Sequence, residues 1–351
     1  MKSFIDLDGT LSGQPIRLGV LLSRVDTARG REQMYRDQLP GLIVGLAEQT
    51  RVASITASNG IEGEVVDIDR AEKLVRPEPP RLRNRNEREF AGYRDAIDGL
   101  MRQERPEPIS VALILHLHRQ ILGHVDGGGG RLKTGQNPIV DLRGGTRDVL
   151  FTPCSPEETP FALEELVARY RAAQDAEAAH PLLLIGLFVL DLLAIHPVAD
   201  GNGRLARLVT THLLAGRGYG IARYVSLEQR IFETKERYYE ALFDSQRGWH
   251  DARHDPWPWL CYLVGVVTEC YALFEDRVTA APAGESKQVR VRRYVLEQAR
   301  DEFRIADIRR ALPGVSDQTI RLVLATLRDE GRIAAEGAGA GARWRRAATP
   351  G

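Results

Sequence analysis

The feature that most restricts the fold of this chain is an almost wholly apolar stretch from Leu182 to Ile195. A helix that is apolar on every side has no face to present to water. The stretch is too short to span a bilayer, and Asp191 interrupts it. We therefore expect a buried core helix in a mainly α protein.

Composition narrows the class of protein. The 48 basic and 48 acidic residues give a formal net charge of zero, which argues against a chain-wide surface for nucleic acid or membrane. Cys154, Cys261 and Cys270 lack the spacing of a zinc site or a disulfide framework. The first residues lack the apolar core and cleavage site of a signal peptide. We expect a cytoplasmic protein without a membrane partner.

Helical periodicity divides the chain into four parts. We predict an N-terminal helical region at residues 1–87, a larger helical domain at 88–278, a small-residue linker at 279–286 and a C-terminal domain at 287–351. The clearest β signal in the larger domain lies at residues 138–152, where the runs IVDL and VLF flank Arg143-Gly144-Gly145-Thr146. This pattern is typical of a hairpin.

The segment HPVADGNGRLAR, residues 196–207, carries the chemistry. Pro197 cannot continue the apolar helix, and Gly201 and Gly203 permit backbone conformations that aim successive N–H groups at one point. Such a nest at the start of a helix binds phosphate. The turn therefore predicts an anion site between two helices.

The charged residues of this segment suit a nucleotide. Arg204 and Arg207 are three apart and can present two guanidinium groups to a polyphosphate. Asp200 supplies a hard oxygen ligand of the kind that Mg²⁺ takes together with substrate phosphates. His196 is suited to proton abstraction at neutral pH. A hydroxyl that attacks a phosphate needs such a base.

The segment resembles the Fic family motif HPFx(D/E)GNGRxxR and departs from it only where Val198 replaces Phe. In the family this Phe packs beneath the catalytic loop, so Val198 leaves a smaller anchor. The resemblance implies a Fic-type helical bundle with a β-hairpin flap that uses ATP and Mg²⁺. It implies that His196 is the base, that Asp200 holds the metal, and that the phosphates lie against Gly201, Asn202, Gly203, Arg204 and Arg207.

The resemblance extends over roughly residues 40 to 275. LHRQIL and GGGGRLKTGQN are similar to the segment before the flap, although Lys133 stands where Arg is usual. The flap itself, Pro138, Ile139, Val140 and Asp141, is expected to bind an extended target segment at its edge. RYYEALFDSQ resembles the helix that contributes to the adenosine pocket, which indicates Tyr239 and Gln246.

Ser58 to Gly63, SNGIEG, matches the inhibitory motif (S/T)xxxE(G/N) that some Fic proteins carry in an N-terminal helix. The match implies that Ser58, Glu62 and Gly63 form this motif. A carboxylate paired with Arg207 would occupy the place of the γ-phosphate. An ordinary helix end capped by Gly63 is the alternative.

The C-terminal part has a local basic excess, with 14 Lys and Arg and 8 Asp and Glu from Lys287 onward. Three helical runs precede a glycine-rich segment, which predicts a winged helix-turn-helix with Ser316 as the N-cap of its last helix. That helix has only Arg321 and Arg328 as basic residues. We therefore favour protein interaction, including homodimerisation, over DNA binding.

Together these features predict a protein adenylyltransferase that moves AMP from ATP to a Ser, Thr or Tyr hydroxyl of another protein or of itself. Glu62 would make it autoinhibited. The alternative is a DNA-binding regulator whose Fic domain senses nucleotide with little transfer activity. UMP transfer and removal of AMP also stay open, because a phosphate site identifies neither the base nor the direction.

Overall fold

The computed structural model describes residues 1–63, 66–76, 78–103, 105–141, 148–280, 287–312, 315–336 and 343–346. Residue contacts divide the chain into two compact units, Met1–Arg29 with Ala47–Leu273, and Gly30–Leu46 with Phe274–Gly351. The predicted N-terminal region is therefore shared between the two units. Residues 281–286 of the predicted linker lie outside the described residues.

The chain is mainly helical, as predicted. Up to residue 280 the elements are α1 (Leu7–Leu11), α2 (Ile16–Gln38), α3 (Pro40–Ile61), α4 (Ile68–Leu74), α5 (Arg85–Arg102), α6 (Val111–Ile121), β1 (Ile139–Asp141), β2 (Asp148–Phe151), α7 (Thr159–Asp175), α8 (Pro181–Ile195), α9 (Asn202–Gly216), α10 (Leu227–Glu233), α11 (Lys235–Gln246) and α12 (Trp257–Ala280).

Helix α8 is the core of the first unit, which confirms the expectation for the apolar stretch. Pro181 occupies its first turn, and the ring of His180 caps it by accepting a hydrogen bond from the N–H of Leu182 at 3.2 Å. Every residue from Leu182 to Ile195 is buried. Gly186 lies so close to the Leu260 side chain that a Cβ atom would collide with it. The helix thus packs against α12 at van der Waals distance.

Asp191 is the polar exception within this core, and it is fully buried. Its carboxylate accepts hydrogen bonds from the Ser3 hydroxyl at 2.7 Å and from Nε1 of Trp249 at 2.6 Å. The backbone N–H of Ser3 donates a third bond at 3.2 Å. Burial raises the pKa of Asp191 to about 6, although the hydrogen bonds from Trp249 and Ser3 oppose that shift.

Helix α12 contains a stretch, Trp257–Thr279, that is long and apolar enough to cross a membrane. Half of its most apolar window is buried inside the protein, and the core helix of a soluble protein passes the same test. Leu260, Val264 and Val267 are among its fully buried side chains. Packing therefore accounts for the buried half of this stretch.

The predicted hairpin is present as two antiparallel strands. Val140 pairs with Val149 and Asp141 with Asp148, and the register is irregular between Ile139 and Val140. The ring of Phe151 stacks on His250 at 5.5 Å, and the His250 ring donates a hydrogen bond to the Thr152 carbonyl oxygen at 2.8 Å. The strand end is thus anchored, whereas the predicted turn at 143–146 lies outside the described residues.

The second unit contains α13 (Lys287–Arg293), a π-helical turn (Tyr294–Gln298), β3 (Glu302–Arg304), α14 (Ile305–Ala311), α15 (Asp317–Asp329), β4 (Ile333–Glu336) and β5 (Arg343–Arg346). The antiparallel strands lie in the order β3-β5-β4. Phe303, Ile308, Ile320 and Leu324 belong to its core. Ser316 caps α15 as predicted, since its side chain accepts from the Thr319 N–H at 3.2 Å.

This order of helices and strands is the one that a winged helix-turn-helix requires. Residues 313–314 of the predicted turn and 337–342 of the predicted wing lie outside the described part of the chain. The winged-helix assignment therefore stays a prediction.

The pKa of Asp191 leads to a stability prediction. The folded-state pKa of Asp191, about 6, is above the ordinary 3.8. The protonated carboxyl therefore contributes to the free energy of unfolding at low pH, and this contribution is lost as the pH rises from about 3.8 through 6. Asp191→Asn removes this titration. Between pH 4 and 7.5 we expect the free energy of unfolding of the variant, relative to wild type, to rise by about 2–3 kcal/mol.

Urea denaturation at the two pH values measures this difference. Asp126→Asn is the matched control, because the Asp126 side chain is 96% exposed. A difference between Asp191→Asn and wild type that is the same at both pH values would contradict the prediction.

Candidate active site

The site is built where α8 ends. His196 follows the last helical residue in a left-handed conformation with φ 52°, which turns the chain out of the helix. Its Nδ1 atom lies 3.3 Å from the Leu193 carbonyl oxygen. A carbonyl can only accept, so Nδ1 carries the proton and Nε2 presents a lone pair. The ring has the tautomer that a proton acceptor needs.

The protonation state of His196 suits the same role. Burial lowers the pKa of the imidazole to about 4, and the positive charge of Lys133 adds to the shift. The ring is therefore neutral at physiological pH. It can accept a proton without first losing one.

The turn after His196 is closed by the side chain of Asn202. Its Oδ1 accepts from the Val198 N–H at 3.1 Å, and its Nδ2 donates to the Val198 carbonyl at 2.7 Å. Val198 itself is fully buried. The Asn202 side chain is thus used within the turn.

Two side chains before the flap brace this turn, and the sequence analysis assigned a role to neither. Lys133 donates from Nζ to the Ile195 carbonyl at 3.0 Å and from its backbone N–H to the Pro197 carbonyl at 2.9 Å. Asn137 donates from Nδ2 to the Val198 carbonyl at 2.8 Å. Lys133 is buried, and burial lowers its pKa. In the sequence, Lys133 stood out only because the family usually has Arg at this position.

His118 of α6 is a third brace that sequence reasoning missed. The Gly130 N–H donates to its Nδ1 at 2.9 Å, so Nε2 carries the proton and donates to the Asp200 carbonyl at 3.0 Å. Gly129 lies so close that a side chain there would collide with the His118 carbonyl oxygen. The glycine run therefore lets a loop approach α6 closely. Sequence alone did not distinguish His118 from His116 two residues earlier.

Helix α9 presents its N-terminus to the site. Gly201 precedes it at φ 80°, and no side chain in the described ranges caps it. Its first N–H groups and the positive end of its dipole thus point toward the predicted anion site. The Arg204 guanidinium is buried against the Glu89 carboxylate, and its Nε has no hydrogen-bond partner among the residues that the structure describes.

Arg207 is held by the predicted inhibitory motif. Its Nε donates to the Ser58 hydroxyl at 2.9 Å, and its Nη2 donates to the Ser58 carbonyl at 2.9 Å and to Glu62 Oε1 at 2.8 Å. Oε1 of Glu62 also lies directly over Gly203, where a Cβ atom would collide with it. The carboxylate therefore rests on the start of α9.

The electrostatics of Glu62 match this position. Burial alone would raise the pKa of the carboxyl, but the charge of Arg207 and its hydrogen bond outweigh burial and lower that pKa below its usual value. Ser58, Asn59 and Ile61 are buried at the end of α3, and Gly63 follows at φ 86°. The left-handed glycine supports the helix-end interpretation too, so the two interpretations of this segment are compatible.

Asp200, the predicted metal ligand, is half exposed and faces two guanidinium groups. Its Oδ2 lies 2.9 Å from Nη2 of Arg85, and its Oδ1 lies 4.0 Å from Nη2 of Arg204. Nε of Arg85 in turn lies 2.6 Å from Oε1 of Glu89. Arg85 and Glu89 were not singled out in the sequence, because they lie more than a hundred residues before the motif.

The remaining predicted residues differ in their surroundings. Tyr239 is 45% exposed, and partial burial together with the charge of Glu62 raises its pKa to about 12. Gln246 is buried at the end of α11. Pro138 to Asp141 directly follow Asn137, so the predicted flap begins one residue after a side chain that is hydrogen-bonded to the turn after His196.

The sequence profile of the Fic/DOC family matches residues 108–214, from the residues before α6 to the last turns of α9. The chain carries a Fic/DOC family domain. It is similar to the protein adenylyltransferase Fic of Nematostella vectensis, with 27% identity over 201 residues, 54% of this chain and 42% of that protein. The Drosophila melanogaster protein of the same name is 33% identical over 112 residues, 32% of this chain and 21% of that protein.

Solved structures show the same fold. A Fic family protein from Desulfovibrio desulfuricans has a TM-score of 0.63 at 18% identity and matches 96% of this chain and 98% of its own. Fic-1 from C. elegans has a TM-score of 0.59 at 22% identity, over 74% of this chain and 72% of that one. The chain spans less than half the length of the two curated relatives named above.

The surroundings of His196 predict an unusual titration. We expect its ring to titrate near pH 4, rather than near the ordinary 6.5, because burial disfavours the imidazolium. The shift of its Hε1 resonance with pH, assigned by comparison with His196→Gln, measures this. A midpoint between pH 6 and 7 for His196 would contradict the burial argument.

Proposed function

We propose that this protein is an adenylyltransferase that transfers AMP from ATP to a Ser, Thr or Tyr hydroxyl of a protein target, and also to itself. One observation carries the proposal: a neutral imidazole with a lone pair on Nε2 stands at the end of α8, a few residues before the uncapped start of α9. A protein that only sensed nucleotide would not need that base. A cytoplasmic location is part of the proposal.

In the proposed step the target hydroxyl oxygen forms a bond to the α-phosphorus of ATP. The bond from that phosphorus to the bridging oxygen breaks, pyrophosphate leaves, and AMP stays attached through a phosphodiester. His196 accepts the hydroxyl proton at Nε2, a contribution of about 10²–10⁴ in rate. The N–H groups of α9 and the guanidinium groups of Arg204 and Arg207 offset the charge on the phosphates.

The residues fit a divalent cation only together with the nucleotide. In the part of the chain that the structure describes, no group of three or more His, Cys, Asp and Glu side chains could hold a metal by itself. Asp200 offers one half-exposed carboxylate beside the anion site. Mg²⁺ is commonly held by one or two carboxylates plus substrate phosphates, whose charge it neutralises. We therefore propose Asp200 as its protein ligand.

The flap supports the proposal for protein targets. Its strands pair antiparallel, and β2 exposes Val149 and Leu150. An extended segment could add to the edge through main-chain hydrogen bonds, which align a hydroxyl without selecting a unique sequence. Pro138, Ile139, Val140 and Asp141 are the residues that we propose for this contact, and Tyr239 with Gln246 for the adenosine side of the site.

We further propose that Glu62 inhibits the enzyme. Its carboxylate satisfies Arg207 and lies over Gly203, so an additional negative phosphate at that place would meet both steric and charge repulsion. The charge-assisted pair contributes about 1.5–3 kcal/mol. ATP would then bind with its phosphates displaced from the arrangement needed for attack.

Glu62→Gly should raise self-labelling by α-labelled ATP about 10- to 100-fold, since 1.4 kcal/mol corresponds to a factor of ten. The rate is measured on purified protein as label incorporated per minute. Glu62→Gln, which keeps the volume and loses the charge, should give an intermediate rate.

His196→Ala, combined with Glu62→Gly, is the control and should remove the label. Equal rates for Glu62→Gly and wild type would exclude the inhibitory role. Persistent labelling in the double variant would exclude His196 as the base.

For the C-terminal unit we propose protein interaction, including dimerisation, rather than DNA binding. Several of its arginines pair with acidic residues of the same unit, namely Arg292 with Glu330, Arg309 with Asp317, Arg343 with Glu302, and Arg346 with Asp301. A guanidinium used in this way offers less to a phosphate backbone. The exposed face of α15 includes the apolar Leu322.

The full chain should therefore bind duplex DNA no better at about 50 mM than at about 200 mM salt. Phosphate-mediated binding would instead fall by orders of magnitude over that range. Fluorescence anisotropy of a labelled duplex measures this. Tight duplex binding at low salt that is lost at high salt would support the DNA-binding alternative instead.

A further inference from the structure

The Asp200 carboxylate forms an ion pair with an arginine side chain of the same chain. Its Oδ2 lies 2.9 Å from Nη2 of Arg85, a residue of α5 that is 115 positions away along the chain. The backbone carbonyl of Asp200 is fixed by His118. The fold thus sets the position of the carboxylate on the turn. Its Oδ2 atom is already paired with Arg85.

Two guanidinium groups approach this carboxylate, and they differ in freedom of movement. Arg204 is 3% exposed and is bonded to the buried Glu89. Arg85 is 63% exposed, stands at the first residue of α5, and binds Glu89 through Nε. Only Arg85 of this pair has the solvent exposure that a side chain needs to turn away from Asp200.

A divalent cation cannot simply be added to this arrangement. Mg²⁺ binds a carboxylate oxygen at about 2.0–2.1 Å. Whichever oxygen of Asp200 the metal took, a guanidinium that stayed at hydrogen-bond distance from Oδ2 would lie close to it, and like charges at short distance repel. Either the metal binds weakly or Arg85 leaves.

We infer that Arg85 competes with the divalent cation for the carboxylate of Asp200 and so sets how strongly the metal assists nucleotide binding. Arg85 is a positioning residue that holds Asp200 until metal and nucleotide arrive together. The inference rests on the proposed function, because it takes Asp200 as the metal ligand.

The experiment measures the coupling between metal and nucleotide. The dissociation constant of a fluorescent N-methylanthraniloyl derivative of ADP is determined by titration, once with Mg²⁺ and once with EDTA. ADP lacks the γ-phosphate whose place Glu62 is proposed to take. The dissociation constant in EDTA divided by the dissociation constant in Mg²⁺ reports how much the metal assists nucleotide binding. An exposed ion pair is weak, so Arg85→Gln and Arg85→Ala should raise this ratio about two- to five-fold.

Arg88→Gln is the matched control, because Arg88 lies on the same helix and pairs with the exposed Asp126. It should leave the ratio unchanged. Asp200→Asn should reduce the ratio to near one. If Asp200→Asn keeps the wild-type ratio, the proposed metal ligand is wrong. If Asp200→Asn lowers the ratio to near one while both Arg85 variants keep the wild-type ratio or lower it, competition by Arg85 is excluded. Asp200 would then still be supported as the metal ligand.

Discussion

The site depends on one constraint, the need to pair the buried charge of Arg207. Guanidinium stays protonated in proteins, and a buried ion without a partner costs several kcal/mol. Ser58 and Glu62 supply the partners here, with 2.8 Å between Nη2 and Glu62 Oε1. The same positive pocket suits a nucleotide phosphate. The proposed substrate binding and the proposed self-inhibition would thus be alternative answers to a single electrostatic requirement.

The second element of the site is a short turn held from outside. His196 leaves α8 in a left-handed conformation, and the backbone carbonyls around this turn need hydrogen-bond donors. Lys133, Asn137 and His118 donate to the carbonyls of Ile195, Pro197, Val198 and Asp200.

Several parts of this arrangement could be predicted before any fold was known. The apolar stretch required a buried α8, and the twelve-residue motif brought base, phosphate turn and arginines together, because local geometry alone positions residues so close in sequence. The pairing of Glu62 with Arg207 was also foreseeable, since it followed from a second motif. Arg85 and Glu89 could not be predicted, because nothing local to their helix indicates that Asp200 and Arg204 lie beside it.

The sequence by itself therefore determined what is contained in contiguous segments: a helical core, a glycine turn at the start of a helix, and a histidine next to it. Tertiary structure alone decided which ring nitrogen of His118 carries the proton, which side chains hold the turn, and which cation faces Asp200. The physical reason is that hydrogen bonds and ion pairs between distant segments depend on packing distances of a few ångströms. Periodicity and spacing along a chain do not encode those distances.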